Sequence, residues 1–355
     1  MIIKKVNIRN LRNIADAELN FSPEINIITG DNGAGKTTLL EAIYLLGRAK
    51  SFRYGNQNAI IKKDSDQLVI FAIVEGPSKT QKKIGYSKRN AETLIKIDGV
   101  RATKLSELAS SLPIFLITPH SHRILEEGPE HRRKLLNWGV FHVEHEYRLE
   151  MSEFIRTLSQ RNNALKNGTS DLSVWTNSFI EHAYAVNEKQ VRYFERWKSE
   201  ILKISSNIEF LNGLDIKLES GWKRDMSLED SIESRLQADR ERGYTSVGPH
   251  RADLLFRLDG IMAKQTLSRG QQKILVTIVL MAQARIQDAI KGKRPVFLFD
   301  DMESELDKKS LKIVSNLINQ QESQFFITSL SPKNIEKESW KKRFEVFHVE
   351  HGVFS

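Results

Sequence analysis

Between Ile25 and Leu40 an apolar run, Ile25-Asn26-Ile27-Ile28-Thr29, passes into Gly30-Asp31-Asn32-Gly33-Ala34-Gly35 and then into Lys36-Thr37-Thr38-Leu39-Leu40. Gly30, Gly35, Lys36 and Thr37 sit at the spacing G-x-x-x-x-G-K-[ST], with a strand pattern before and a helical pattern after. Gly30, Gly33 and Gly35 let the backbone wrap closely and aim its N–H groups at phosphate oxygens. The helix that follows adds its positive end. Candidate nucleotide-binding residues are therefore Gly30, Asp31, Asn32, Gly33, Ala34, Gly35, Lys36, Thr37 and Thr38. Lys36 can reach the β- and γ-phosphates, and the Thr37 hydroxyl is a candidate ligand for Mg²⁺.

At 355 residues the chain is long enough for one large or two ordinary domains. No apolar run approaches the roughly 20 residues of a membrane span, so no membrane partner is expected. Met1 to Val6 alternates like a strand and lacks a signal peptide's apolar centre. The chain has no cysteine, which excludes disulfides and Cys-based zinc sites and fits a cytoplasmic protein. A net charge of +9 favours a polyanionic partner. The basic excess is conspicuous between Lys62 and Lys104, which predicts a nucleic-acid face there; the lysines around Lys79–Lys83 read as a loop.

In chain order, two strands precede the phosphate loop, and a helix from Thr38 to Leu46 should end at Gly47. Strand patterns at Leu68–Val74 and Thr93–Ile97 follow, the second closing on Asp98-Gly99. After a short strand up to Thr118-Pro119 the pattern turns helical to about Phe210, with Trp175, Phe179, Tyr184, Val191, Phe194 and Trp197 able to share a core face. Phe141-His142-Val143-Glu144-His145 recurs as Phe347-His348-Val349-Glu350-His351, but the spacing is not that of a zinc site.

A second constellation comes late. Leu267-Ser268-Arg269-Gly270-Gln271-Gln272-Lys273 opens a strongly periodic helix, with Ser268 placed to cap it and Gly270 keeping its first turn open to a ligand. Pro295 to Phe299 reads as a buried parallel strand ending in Asp300-Asp301, and Gln324 to Ser329 as another ending in small polar residues. Asp300 is the candidate metal-binding carboxylate, and Asp301 sits where a base would orient an attacking water.

These segments, in this order, resemble the ABC-type ATPase heads of the SMC/Rad50/RecF group. The resemblance implies an α/β fold, an ABC-type ATPase head of mixed sheet plus helices, with an inserted α-helical arm. It implies head segments at 1–118 and 213–355 and the arm at 119–212. It also implies that Ser268, Arg269 and Gly270 reach the nucleotide of a second subunit, so that two heads sandwich two ATPs in an ATP-dependent homodimer. Within the group the chain is most similar to the RecF family of recombination-mediator ATPases. The residues that carry this are Ile8 to Ile14, Gly128 to Gly139, Gly248-Pro249-His250-Arg251-Ala252-Asp253-Leu254, the Ser-Arg-Gly-Gln form at 268–271, and Ser304-Glu305-Leu306-Asp307 after the acidic pair. Asn137 and His120-Ser121-His122 depart from the family's acidic pattern near the segment with the glutamine-loop role. Asp301 stands where transporter ATPases carry glutamate, and the shorter carboxylate suits a slow hydrolytic switch. The implied function is ATP-driven dimerisation on gapped DNA and single-strand/double-strand junctions, acting with RecO and RecR to load RecA, and needed for SOS induction. The rival reading is an ABC-type ATPase subunit with a nuclease or a non-DNA structural role.

Overall fold

The computed structural model describes residues 1–53, 60–90, 92–144, 146–169, 171–330 and 340–355. The chain forms two compact units: residues 1–121 with 269–355, and residues 122–268.

The first unit contains two sheets. One is antiparallel, ordered Ile14–Asn20, Ile2–Leu11, Gln67–Glu75, Gln81–Arg89, Glu92–Ile97 and Val100–Arg101. The other is ordered Val353–Phe354, Phe344–Glu350, Ile25–Thr29, Gln324–Ser329, Val296–Phe299 and Ile114–Ile117. Its strands run parallel apart from the terminal hairpin. Ile25–Thr29, Val296–Phe299 and Gln324–Ser329 are buried along their whole length, which is why each carries consecutive apolar residues rather than an alternation, with the buried polar residues Asn26, Thr29, Gln324, Thr328 and Ser329 among them.

Helix Lys36–Arg48 contacts strands of both sheets. A helix covered on two sides needs more than one apolar stripe, and Leu39, Leu40, Ala42, Ile43, Leu45 and Leu46 are all buried. Gly47 does not end this helix, contrary to the sequence expectation: the turn continues through Arg48, and Ala49 takes the left-handed closing conformation. Gly47 instead lets the helix approach a strand. A Cβ there would lie 2.5 Å from Ile114 Cδ1 and 2.6 Å from the Leu112 carbonyl oxygen. Gly47→Ala should therefore lower stability by about 1–3 kcal/mol through overpacking, although alanine is the better helix former. Urea unfolding measures this, and an unchanged midpoint would contradict the close contact.

The lysine-rich stretch expected as a loop is largely strand. Gln81–Arg89 pairs with Gln67–Glu75 along its length and buries Ile84, Tyr86 and Lys88. Lys88 is thus withdrawn from the surface that the charge pattern suggested.

The second unit packs helices Pro129–Val143, Tyr147–Asn167 and Leu172–Ser205 with a three-stranded sheet of Ile261–Met262, Asp253–Leu258 and Leu214–Glu219, and with helix Leu228–Arg242. The compact unit thus runs to Ser268, whereas the sequence reading returned to the head at 213. Ion pairs hold the extra segment to the helices. Arg132 grips both Asp253 carboxylate oxygens at 2.7 and 3.0 Å, Lys198 reaches Asp215 at 3.1 Å, and fully buried Arg161 and Asp239 approach at 3.4 Å. The core face of Leu172–Ser205 is formed by Phe179, Ala183, Val186, Tyr193, Phe194 and Trp197, whereas Tyr184 and Val191 are exposed. Asn137 accepts from Tyr147 Oη at 2.7 Å and from Gln190 Nε2 at 2.9 Å, so its amide serves the interior of this unit.

His250 contributes a pH dependence. Burial lowers its pKa to about 4, while Nε2 donates to the Thr245 carbonyl at 2.9 Å. Protonation would place a proton on Nδ1, which meets no acceptor among the described residues. Between about pH 6.5 and 4 the unfolded chain takes up a proton that the folded chain refuses, so stability falls on acidification through this window. The full effect is about 3 kcal/mol. Calorimetric melting from pH 7 to 4 should show a steeper decline for the native chain than for His250→Gln, and parallel declines would exclude this residue as the source.

Candidate functional site

The parallel register assembles the site. Ser329 pairs with Thr29 and Phe299 with Ile327, which brings Gly30, Asp300 and Thr328 to the carboxyl edge of adjacent strands. The glycine-rich loop leaves Ile25–Thr29 there. Gly30 has φ 147°, and a Cβ on it would lie 2.2 Å from the Val349 carbonyl oxygen. The loop is thus seated on the terminal hairpin, and the Gly352 N–H donates to the Ala34 carbonyl at 2.7 Å. From the other side, Asn13 Nδ2 donates to the Gly33 and Ala34 carbonyls at 3.2 and 2.9 Å, while Asn13 Oδ1 accepts from Thr38 Oγ1 at 3.0 Å. These bonds brace the loop from both sides.

Lys36 Nζ donates to the Gly30 and Asp31 carbonyls at 2.5 and 3.0 Å. Burial pulls its pKa down, and the carboxylates of Asp301, Asp300 and Asp31 oppose that shift. Thr37 Oγ1 donates to Asp300 Oδ1 at 2.9 Å, and Thr328 Oγ1 lies 3.1 Å from the same oxygen. Burial raises the Asp300 pKa against the effect of these two hydroxyls. A hydroxyl and a carboxylate meeting in this way form an oxygen donor set of the kind a hard divalent cation takes. Asp301 has φ 50°, and its N–H donates to Thr328 Oγ1 at 2.7 Å.

Asp31, Asn32, Gly33, Gly35, Lys36 and Thr37 line one cavity of about 320 Å³. Thr38, Asp300 and Asp301 border it too, as do five residues that sequence reasoning did not assign to the site: Arg12, Asn13, Arg53, Thr328 and Leu330. Arg12 is held by fully buried Glu41, with Nε to Oε2 at 2.5 Å and Nη2 to Oε1 at 2.7 Å. Nothing in the local sequence marks Glu41 as buried. Its burial against Arg12 becomes visible only when strand Ile2–Leu11 is folded beside that helix.

Helix Arg269–Lys291 starts one residue after Ser268. Arg269 and Gly270 do not line the cavity. Arg269 faces Glu305 at 3.7 Å. A Cβ on Gly270 would lie 2.6 Å from the Glu305 carbonyl oxygen, so this glycine admits the 301–307 turn against the helix. Lys273, 1% exposed, directs Nζ at the carbonyls of Asp301, Met302 and Ser304 at 3.3, 3.3 and 3.0 Å. Burial lowers its pKa to about 8. One ammonium thus ties the start of this helix to the backbone of the acidic pair. Nothing in its sequence position distinguished it from an ordinary surface lysine. Among the described residues no cluster of His, Asp and Glu could hold a metal by itself. The repeated pentapeptide ends a helix at Phe141–Val143 and lies in a strand at Phe347–Glu350, with His145 outside the described residues.

The RecF/RecN/SMC N terminal domain family matches residues 2–355. The chain is 37% identical to a DNA replication and repair protein RecF of Stutzerimonas stutzeri, over 99% of this chain and 96% of that one. It is 37% identical to the protein of the same description from Shewanella oneidensis, over 99% and 98%. Among solved structures it is similar to the recombination mediator protein RecF bound to ATP, of the RecFOR pathway, with TM-score 0.83, 25% identity and coverage of 100% of this chain and 97% of that one. An Smc head domain with an extended coiled coil from Pyrococcus furiosus shares the fold at TM-score 0.61 and 15% identity, over 100% and 95%.

Proposed function

The chain belongs to the RecF family of DNA replication and repair proteins, and on that premise we propose that it is an ATP-switched DNA-binding protein whose nucleotide site is completed by a second copy of itself. The observation that carries the reading is the meeting of Lys36, Thr37, Asp300 and Asp301 around one cavity at the end of a parallel sheet. ATP would lie with its phosphates against the N–H groups of residues 30–38, and Lys36 would leave the Gly30 and Asp31 carbonyls for the β- and γ-phosphates. Thr37 and Asp300 would hold Mg²⁺, which when bound neutralises charge on the phosphate oxygens. Asp301 would take a hydrogen bond from the attacking water and orient it. Ser268, Arg269 and Gly270 would meet the ATP of the other subunit, which accords with the absence of Arg269 and Gly270 from the lining of their own cavity.

ATP then acts as a ligand of the closed dimer alone, and its binding energy shifts the population toward closure. Turnover by Asp301 reopens the dimer. The DNA partner is gapped duplex and the single-strand/double-strand junction, and the associated proteins are RecO, RecR and, through them, RecA, with the SOS response downstream. Among the described residues no helix is long and apolar enough to cross a membrane. Sedimentation velocity with and without ATP and Mg²⁺, combined with titration of gapped duplex over a range of salt, tests this function. A dimer that forms only with ATP and a steep loss of DNA affinity with rising salt are the expected results. A monomer at saturating ATP contradicts the switch, and salt-insensitive or absent DNA binding contradicts the DNA role.

A further inference from the structure

The second unit contains a cavity of about 910 Å³ that the nucleotide chemistry does not use. Five cationic side chains border it: Lys223, Arg224, Arg235, Arg242 and Arg251. Glu219 is the one carboxylate among the described residues that line it. Among the described residues no carboxylate comes within ion-pair distance of Lys223, Arg235, Arg242 or Arg251. Helix Leu228–Arg242 carries more acids than bases, yet it turns only Ser231, Ser234, Arg235 and Arg242 to the cavity, while Glu229, Asp230, Glu233 and Glu241 lie off that face. The asymmetry follows from helical spacing and leaves no trace in the net charge of the segment.

The walls are rigidly joined. The Gly248 N–H donates to the Gly221 carbonyl at 3.1 Å, and a Cβ on Gly221 would lie 2.1 Å from the Gly248 carbonyl oxygen. The loop carrying Trp222, Lys223 and Arg224 is thereby fastened to the segment carrying Arg251. Trp222 lines the cavity and meets Tyr184 edge-on at 6.2 Å between centroids. The Arg251 guanidinium lies 5.2 Å from the centre of the Tyr244 ring. Ser246, also in the lining, has a buried Oγ with no hydrogen-bond partner among the described residues.

We propose that this cavity binds a stretch of single-stranded nucleic acid, its phosphates on Arg235, Arg242, Arg251 and Lys223 and a base against Trp222. Guanidinium forks suit phosphate oxygens, and an aromatic ring beside a basic groove gives stacking that tolerates any base. A recess admits a flexible strand and not a duplex, so the site would serve the unpaired part of a gapped substrate. An acidic protein segment would use the charges but has no need of the half-buried indole in the cavity wall. The inference rests on the DNA reading above and adds a location to it.

The test uses the full chain with ATP, a fluorescein-labelled oligothymidylate of about 15 nucleotides, and a blunt duplex of equal length. Arg235→Ala combined with Arg242→Ala should weaken oligothymidylate binding about tenfold or more and lower the salt slope by about 1.4, at about 0.7 per lost phosphate contact. Duplex binding, fluorescent-ATP binding and the melting temperature should stay unchanged. The corresponding double lysine variant should retain most of the single-strand affinity. On the unaltered protein, an oligonucleotide carrying 5-iodouracil should crosslink to Trp222. Variants that bind the oligonucleotide like the native chain, or crosslinks confined to other peptides, would overturn the location while leaving the DNA reading in place. A native chain that binds neither nucleic acid at low salt overturns both. Displacement of the oligonucleotide by polyglutamate at equal charge, as effective as by unlabelled oligothymidylate, would assign the cavity to an acidic protein segment instead.

Discussion

Lys36→Ala is expected to remove ATP binding at any practical concentration and, with it, the ATP-dependent dimer. The amine has two duties in the folded chain. It clips the loop by bonding the Gly30 and Asp31 carbonyls at 2.5 and 3.0 Å, and it lines the cavity at the start of the helix where the phosphates are expected. Hydrogen bonds to a charged group are worth about 1.5–3 kcal/mol each, so losing one phosphate contact costs roughly 10–150-fold in affinity and losing two takes binding out of range. The fold should survive, because the loop is also braced by Asn13 and by the Gly352 N–H to Ala34. Fluorescent-ATP titration and sedimentation velocity measure the two effects. Unchanged nucleotide affinity would place the triphosphate somewhere other than this loop.

The second large effect concerns Asp301→Asn. ATP turnover should fall by about 10²–10⁴-fold, the range for loss of a general base, while ATP affinity stays close to native. An ATP-bound dimer should then persist, with raised affinity for gapped DNA. The substitution is informative because of the backbone. Asp301 has φ 50°, a conformation that asparagine tolerates as readily as aspartate. Its N–H bond to Thr328 and its carbonyl contact with Lys273 do not involve the side chain. The change therefore removes a charge and little else. An Asn variant that stays monomeric by sedimentation at saturating ATP would falsify the switch. One that turns over ATP at the native rate would remove Asp301 from the chemistry.

Much of the first unit was readable from the sequence for a specific reason. Parallel strands buried on both faces are dominated by consecutive apolar residues, so Ile25–Thr29, Val296–Phe299 and Gln324–Ser329 stand out, and the polar residues that end them stand out equally. Strand Gln81–Arg89 was hidden because one face is solvated and its buried set, Ile84, Tyr86 and Lys88, includes a lysine. Gly47 was misread because a glycine near a helix end signals termination unless a neighbouring strand is known to press on it. The Phe-His-Val-Glu-His pair is the plainest case. At 141–143 these residues close a helix, and at 347–350 they form a strand beside Ile25–Thr29, so local propensity did not choose between the two.

By itself the sequence determined the glycine-rich loop between strand and helix, the acidic strand end and their order along the chain, since each depends on residue types at short fixed spacings. Only the tertiary structure decided what stands around them. It placed Asn13 and the terminal hairpin as braces, buried Glu41 against Arg12, and set Lys273 beneath the acidic pair. These are contacts between positions tens to hundreds of residues apart, fixed by strand register and helix packing. No local pattern carries them, because the partners share no spacing until the chain has folded.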